Sequence, residues 1–233
     1  MGIRKAREIA WWIYKLFYLP IAKFIIECKT DSIIKQRVFY DSGLVLKGKN
    51  FIGQNTYASN IEMGYAAYVS RDCYLINTKI GSYTSIGNYV KIVSGKHPIH
   101  DFVSTHPSTY ASKTLMGLSY VKDNIFLEHE YVDGDGKWSV SIGNDVWIGD
   151  NVTIMEGVCI GDGAIIGCSS LVTKDVKAYS INYGIPCECR RNRFEEEEIR
   201  KLLELKWWNR EESWIKEHIN KFTNIREFLK EEV

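Results

Sequence analysis

Four of the five histidines in the chain, His97, His100, His106 and His129, fall between Ile92 and Ile142. Histidine is the side chain whose ordinary pKa lets it accept a hydroxyl proton near neutral pH, so the cluster suits general-base chemistry. The same residues raise a metal reading. His97 and His100, with Asp101 and His106 close in sequence, would need three convergent imidazoles and an open fourth position to make a catalytic zinc site. A second chemical group is basic: Arg190, Arg191 and Arg193 precede the run of glutamates at 195–198. Beside an acidic helix, such a cluster can serve as an ion-pair network of purely structural value.

The elements that must hold these residues declare themselves by period. From Ser141 to Lys174 an aliphatic residue returns every six positions, at Ile142, Ile148, Ile154, Ile160, Ile166 and Val172, and Gly follows at 143, 149, 161 and 167. A strand repeats every two residues and a helix about every 3.6, so a period of six fits neither. It reads as short strands joined by tight turns and wound into a solenoid, with each Ile stacked on the Ile of the next coil. Gly in that setting permits positive φ or close approach of the backbone. A weaker beat runs upstream through Leu46, Ile52 and Ala58, then Met63, Val69 and Leu75, then Ile80, Ile86 and Ile92. The five-residue gaps between these sets read as shortened turns, and each set of three strands as one triangular coil.

The fifty residues from Ile92 to Ile142 are not a multiple of six. This is an excursion that leaves the wall and returns, and its aromatic content argues for order. The opening segment carries Arg4, Lys5 and Arg7 ahead of Trp11, Trp12, Tyr14 and Tyr18, but Lys15 and Lys23 leave its longest uncharged run too short to span a bilayer. It reads as a helix packed on the solenoid or a neighbouring subunit, or as an amphipathic helix on a membrane surface through residues 1–28. After Val176 come helical patterns at about 195–206 and through Trp214, Ile215, His218, Ile219 and Phe222, expected to cover the open end of the solenoid. A net charge of +1 gives no electrostatic case for nucleic acid. Cys28, Cys73, Cys159, Cys168, Cys187 and Cys189 contain no C-x-x-C pair. The two within the repeat, Cys159 and Cys168, are expected as buried thiols, which fits a reducing cytoplasm.

IGNDVWIG (142–149), VTKDV (172–176), YGIP (183–186) and NRFEEEEIRKLLELKWW (192–208) resemble the hexapeptide-repeat acyltransferases, closest to their xenobiotic, CatB-related O-acetyltransferase branch. The resemblance implies a mainly β fold, a left-handed parallel β-helix over 39–186 with an excursion loop at 95–139. It implies a helical segment at 1–38 and a C-terminal helical region at 187–233. It further implies a homotrimer whose active sites are shared between subunits, and a cytoplasmic enzyme, at most peripheral to the inner face of the membrane. By motif position His97, in KHPIHD, matches the catalytic base, and the backbone N–H of Asp150 the oxyanion donor. Acetyl-CoA would be the donor, against Trp147, Gly167, Cys168, Thr173 and Lys174, with its phosphates on Arg190, Arg191 or Arg193; Glu188 stands where many relatives have a basic residue. No metal is expected, since zinc enzymes of this fold carry their histidines on the coils. The loop KHPIHDFVSTHPSTY looks more like that of capsule, exopolysaccharide or lipopolysaccharide O-acetyltransferases than the N-G-A-N-H-R-M-D type of drug-modifying members. The acceptor is therefore expected to be a glycan hydroxyl, met by His100, His106 and Tyr110 and by the rings of Tyr120, Phe126 and Tyr131. Chloramphenicol- or streptogramin-type transfer, nucleotide-sugar N-acetylation and a non-enzymatic scaffold are the alternatives.

Overall fold

The structure, a computed structural model, describes residues 19–230. Its body is a left-handed parallel β-helix of triangular section. The first face stacks β1 (Ile33–Ile34), β4 (Phe51–Ile52), β6 (Tyr68–Val69), β8 (Ser85–Ile86), β11 (Trp147–Ile148), β14 (Ile165–Ile166) and β16 (Ser180–Tyr183). The second holds β2 (Phe39–Tyr40), β9 (Lys91–Val93), β12 (Thr153–Met155) and β15 (Leu171–Val172), and the third β3 (Val45–Leu46), β10 (Val140–Ile142) and β13 (Val158–Ile160). β5 (Tyr57–Met63) and β7 (Tyr74–Ile80) each serve both of those faces, bending through the corner at Asn60 (φ 52°) and Asn77 (φ 44°). These two bends are the five-residue gaps of the sequence.

The aliphatic beat is the core. Ile86, Ile148 and Ile166 are register partners up one face, Ile80, Ile142 and Ile160 up another, and Ile92, Ile154 and Val172 up the remaining one. All nine are 3% exposed or less, and burying such a side chain is worth about 1.5–3 kcal/mol. The glycines after the beat take the second of their two expected roles. Gly81 and Gly149 are not among the positive-φ residues, which at these corners are mostly Asx or Tyr, such as Tyr83 and Asn151. A Cβ at Gly81 would instead lie 2.5 Å from the carbonyl carbon of Gly143 on the next coil. Coil spacing, not turn conformation, demands glycine there.

The excursion leaves after β9 and returns at β10, both at the corner between the second and third faces. The wall grips its returning end: Asn60 Nδ2 donates to the Lys137 carbonyl (3.2 Å), and Ser139 N–H to the Asn77 carbonyl (2.7 Å).

At the N-terminal end, α1 (Leu19–Thr30) lays Leu19, Ala22 and Ile26 on the core, and Glu27 Oε1 accepts the Ile34 N–H (2.7 Å). Ile21, Phe24 and Ile25 point outward. The aromatic and basic residues at 4–18, on which the membrane reading rests, lie outside the described residues; among those described, no helix is long and apolar enough to cross a membrane. The coils begin at β1, upstream of residue 39.

The C-terminal region departs from expectation. The last coil is closed by an antiparallel hairpin of β16 with β17 (Glu188–Asn192), not by helices. α2 (Glu196–Leu205), α3 (Glu212–His218) and α4 (Ile225–Lys230) run back along the corner between the third and first faces, where Trp207 packs on Tyr83 (4.9 Å) and the Tyr65 hydroxyl donates to Glu212. Tyr83 and Tyr179 on that corner offer aromatic rings, and a second core of Tyr179, Leu202, Trp208, Phe228 and Leu229 forms there.

Gly81→Ala should lower unfolding free energy by about 1–3 kcal/mol through overpacking. Gly134→Ala, with nothing within 4 Å of the added Cβ, should be near neutral. Urea denaturation of both variants checks the difference.

Candidate active site

The candidate residues gather at two corners of the prism. At the corner of the second and third faces, the excursion carries His97 outward, with its Nδ1 2.6 Å from the hydroxyl oxygen of Tyr110. That hydroxyl donates to Glu128 Oε1 (3.1 Å). Thr173 and Lys174 are exposed at the same corner, after β15. The root of the excursion is tied down beside them: Ser94 Oγ donates to Glu156 Oε2 (2.8 Å), and His129 Nδ1 lies 3.4 Å from the same oxygen. Glu156 is buried and its Oε1 has no partner among the described residues.

The other gathering lies on the first face and its corner with the second. Trp147 projects from β11 with 56% of its surface exposed, flanked in register by Ser85 and Ile165. Asp150 follows at the corner, where Oδ1 accepts the Asn88 N–H (2.8 Å) and Oδ2 the Asn88 side-chain amide (3.0 Å). These bonds hold its carboxyl below the ordinary carboxylate range. The same kind of cap recurs at the corner between the third and first faces, where Asn144 Oδ1 accepts the Ser82 N–H (2.8 Å) and Asp162 Oδ1 the Asn144 N–H (2.7 Å). Above Asp150 the next coil offers Cys168, which carries no carboxylate or amide to cap it. The amide N–H of Asp150 has no acceptor among the described residues, so it can donate to an oxygen that arrives from outside. Gly167 and Cys168 lie directly above. The exposed strand β17 brings Arg190 and Arg191 to the same face.

The arginines divide by environment. Arg193 Nη1 donates to the Gly163 carbonyl (2.6 Å) and sits 3.3 Å from Asp145 Oδ2, with its guanidinium over the rings of Tyr179 and Phe194. Burial pushes the Asp145 carboxyl above its ordinary value while Arg193 pulls it back. Arg193 is thus a structural clasp between the coils and the helical tail. Arg190 stacks on Tyr183 (5.0 Å) beside Glu188 (3.3 Å), and both Arg190 and Arg191 remain exposed.

Several expectations need correction. Tyr110 is fully buried and cannot offer its ring face to an acceptor; Phe102 and Phe126 pack edge-on against it (6.3 and 5.4 Å). His106 is exposed, but its Nδ1 accepts the Ser108 N–H (3.3 Å) and so caps the turn at Pro107–Thr109. His100 is exposed on the loop. The cysteines are free, yet only Cys73 is buried: strand alternation turns Cys159 outward and Cys168 falls on a corner. Among the described residues no group of His, Cys, Asp or Glu is arranged to hold a metal ion. Glu128 and Glu156 escaped sequence reasoning, although FLEHEY places acids on both sides of His129.

The family profile described as bacterial transferase hexapeptide (six repeats) matches residues 139–174. A probable macrolide acetyltransferase of Lysinibacillus sphaericus is 42% identical over 147 residues, which is 63% of this chain and 73% of the relative. A chloramphenicol acetyltransferase of Klebsiella aerogenes is 35% identical over 190 residues, 73% of this chain and 84% of the relative. Among solved structures, a maltose O-acetyltransferase from Clostridium difficile 630 is 27% identical with a TM-score of 0.49, covering 67% of this chain and 71% of that one.

Removing the clasp should cost stability. Arg193→Ala should lower the unfolding free energy by about 2 kcal/mol, the scale of hydrogen bonds to a charged group. Arg190→Ala and Arg191→Ala should each change it by less than about 0.5 kcal/mol. Denaturant titration of the three variants measures this.

Proposed function

The chain belongs to the hexapeptide-repeat acetyltransferases, and from that footing we propose that it is an acetyl-CoA-dependent O-acetyltransferase acting on a sugar hydroxyl of a glycan or glycan precursor. The observation that carries the reading is the outward imidazole of His97, held at Nδ1 by Tyr110, on a loop that rises from a rigid wall. In the reaction the acceptor oxygen bonds the thioester carbonyl carbon while its proton passes to His97 Nε2. The carbon–sulfur bond then breaks, and the imidazolium returns the proton to the departing thiolate. The Asp150 N–H donates to the oxygen that becomes negative in between. Exposed Trp147 would line the donor's path, with Arg190 and Arg191 meeting its phosphates.

Within one chain His97, Thr173 and Lys174 stand a full face away from Trp147, Asp150, Gly167 and Cys168. A complete site therefore takes the excursion corner of one copy against the first face of another, which is what a homotrimer of prisms provides. The exposed ladder on that face, with Ile33, Tyr68 and Trp147 at 52%, 42% and 56% exposure, suits burial against a second copy.

For the acceptor, Tyr120 and Tyr131 remain exposed on the excursion and can pack on a sugar ring. The similarity to macrolide and chloramphenicol acetyltransferases favours a second reading, in which the hydroxyl belongs to a drug.

CoA should raise the melting temperature of the protein, as any ligand of the native state does. His97→Ala should lower turnover by about a hundredfold to ten-thousandfold, the usual worth of general-base help, with CoA affinity unchanged. Acetylation assays on maltose-type oligosaccharides and on chloramphenicol separate the two acceptor readings. No CoA-dependent shift, or full turnover in His97→Ala, would overturn the assignment.

A further inference from the structure

The arm behind His97 links three residues in series through two contacts, His97 to Tyr110 and Tyr110 to Glu128. Tyr110 is 0% exposed, its ring wedged between Phe102 and Phe126 and set edge-on to the imidazole at 6.2 Å. Backbone bonds lock both ends of the arm: Ile125 N–H donates to the Tyr110 carbonyl (2.9 Å), and Lys96 N–H to the Glu128 carbonyl (2.8 Å). The segments bearing base, phenol and carboxylate are thus stitched together independently of their side chains.

Donor and acceptor roles along the series follow from the groups themselves. An ionised carboxylate only accepts, so the phenol must give its proton to Glu128. The phenolic oxygen, its proton committed, can then only accept from His97. Burial, and next the bond to Glu128, push the Tyr110 hydroxyl above its ordinary pKa, so it keeps that proton at neutral pH.

We propose that Tyr110 and Glu128 are positioning residues that fix His97 as the Nδ1–H tautomer, leaving the lone pair on Nε2 to take the acceptor's proton. When Nε2 is protonated, the charge on the imidazolium is stabilised through Nδ1–H and the phenol by the Glu128 carboxylate. The relay does through a tyrosine what a directly bonded carboxylate does for the histidine of a hydrolase triad, and the phenol extends its reach. The inference rests on the proposed role of His97 as base, but it concerns a state of the resting protein and can be read without turnover.

Tyr110→Phe keeps the ring and removes the relay, and Glu128→Gln keeps an accepting oxygen but removes the charge. Imidazole nitrogen NMR of histidine-labelled protein, with the His97 signals assigned by their loss in His97→Ala, reads the tautomer. The expected results are Nδ1–H in the wild type and in Glu128→Gln, and loss of that preference in Tyr110→Phe. Turnover should fall about tenfold to a hundredfold in Tyr110→Phe, and less in Glu128→Gln, with the donor KM unchanged in both. A purely structural tyrosine would leave kcat and tautomer untouched in Tyr110→Phe. That result, or Nε2–H in the wild type, overturns the relay. If Tyr110→Phe does not fold, Glu128→Gln carries the test: unchanged kcat there overturns the relay. A wild type that is Nδ1–H yet acetylates no acceptor would sink the acetyltransferase reading and leave the relay standing.

Discussion

Every coil of this protein must lie within van der Waals reach of the next, and the rest of the structure depends on that constraint. Parallel pairing between coils aligns the aliphatic residues inward, and at the two corners that flank the first face backbone crosses backbone with no room for a side chain at positions such as Gly81 and Gly149. A Cβ at Gly149 would meet the Cys168 amide nitrogen at 2.8 Å. Glycine is required where the coils touch, while Asx and Tyr absorb the left-handed conformation two residues later. The inside is therefore dictated and the outside is free. Outward positions such as Trp147 and corner positions such as Asp150 and Lys174 can carry chemistry without disturbing the wall.

The excursion uses that freedom. It departs and returns at one corner, where Asn60 and Asn77 hold the returning strand and Glu156 holds Ser94 and His129. His97 is thereby mounted on a loop with both ends fixed, and its imidazole is oriented from behind by a buried phenol. Of the groups suited to the donor, Thr173 and Lys174 share that corner, while Trp147, Asp150, Gly167, Cys168, Arg190 and Arg191 stand a face away. On the proposed function, a chain built this way would hold half of two sites rather than one whole site, and assembly and activity would be the same problem.

How much of this the sequence displayed depends on whether a feature repeats. The six-residue beat repeats because each coil solves the same packing problem, so strands, inward residues and even the shortened corners at Asn60 and Asn77 were legible. The helical tail was legible in its pattern but not in its destination, since nothing in Leu202 or Trp208 says that Tyr83 and Tyr179 lie on a lateral corner. Inside the aperiodic excursion, pairings are set by tertiary contact alone. Tyr110 looked like a ring for stacking on sugar, and its burial could not be read from KHPIHDFVSTHPSTY. Glu128 carried no motif. His106 resembled His97 in type and neighbourhood, and only the turn at Pro107–Thr109 reveals it as a cap.

The central claim, that base and donor wall meet across two copies, is tested most directly by mixing two inactive chains. One carries His97→Ala; the other carries Trp147→Ala, Arg190→Ala and Arg191→Ala together. Unfolded jointly and refolded, the mixture should recover activity approaching about a quarter of wild type, because random assembly pairs an intact base with an intact wall at that fraction of the sites. Mixed oligomers that form but stay as inactive as their parents would contradict a shared site and return both halves to a single chain.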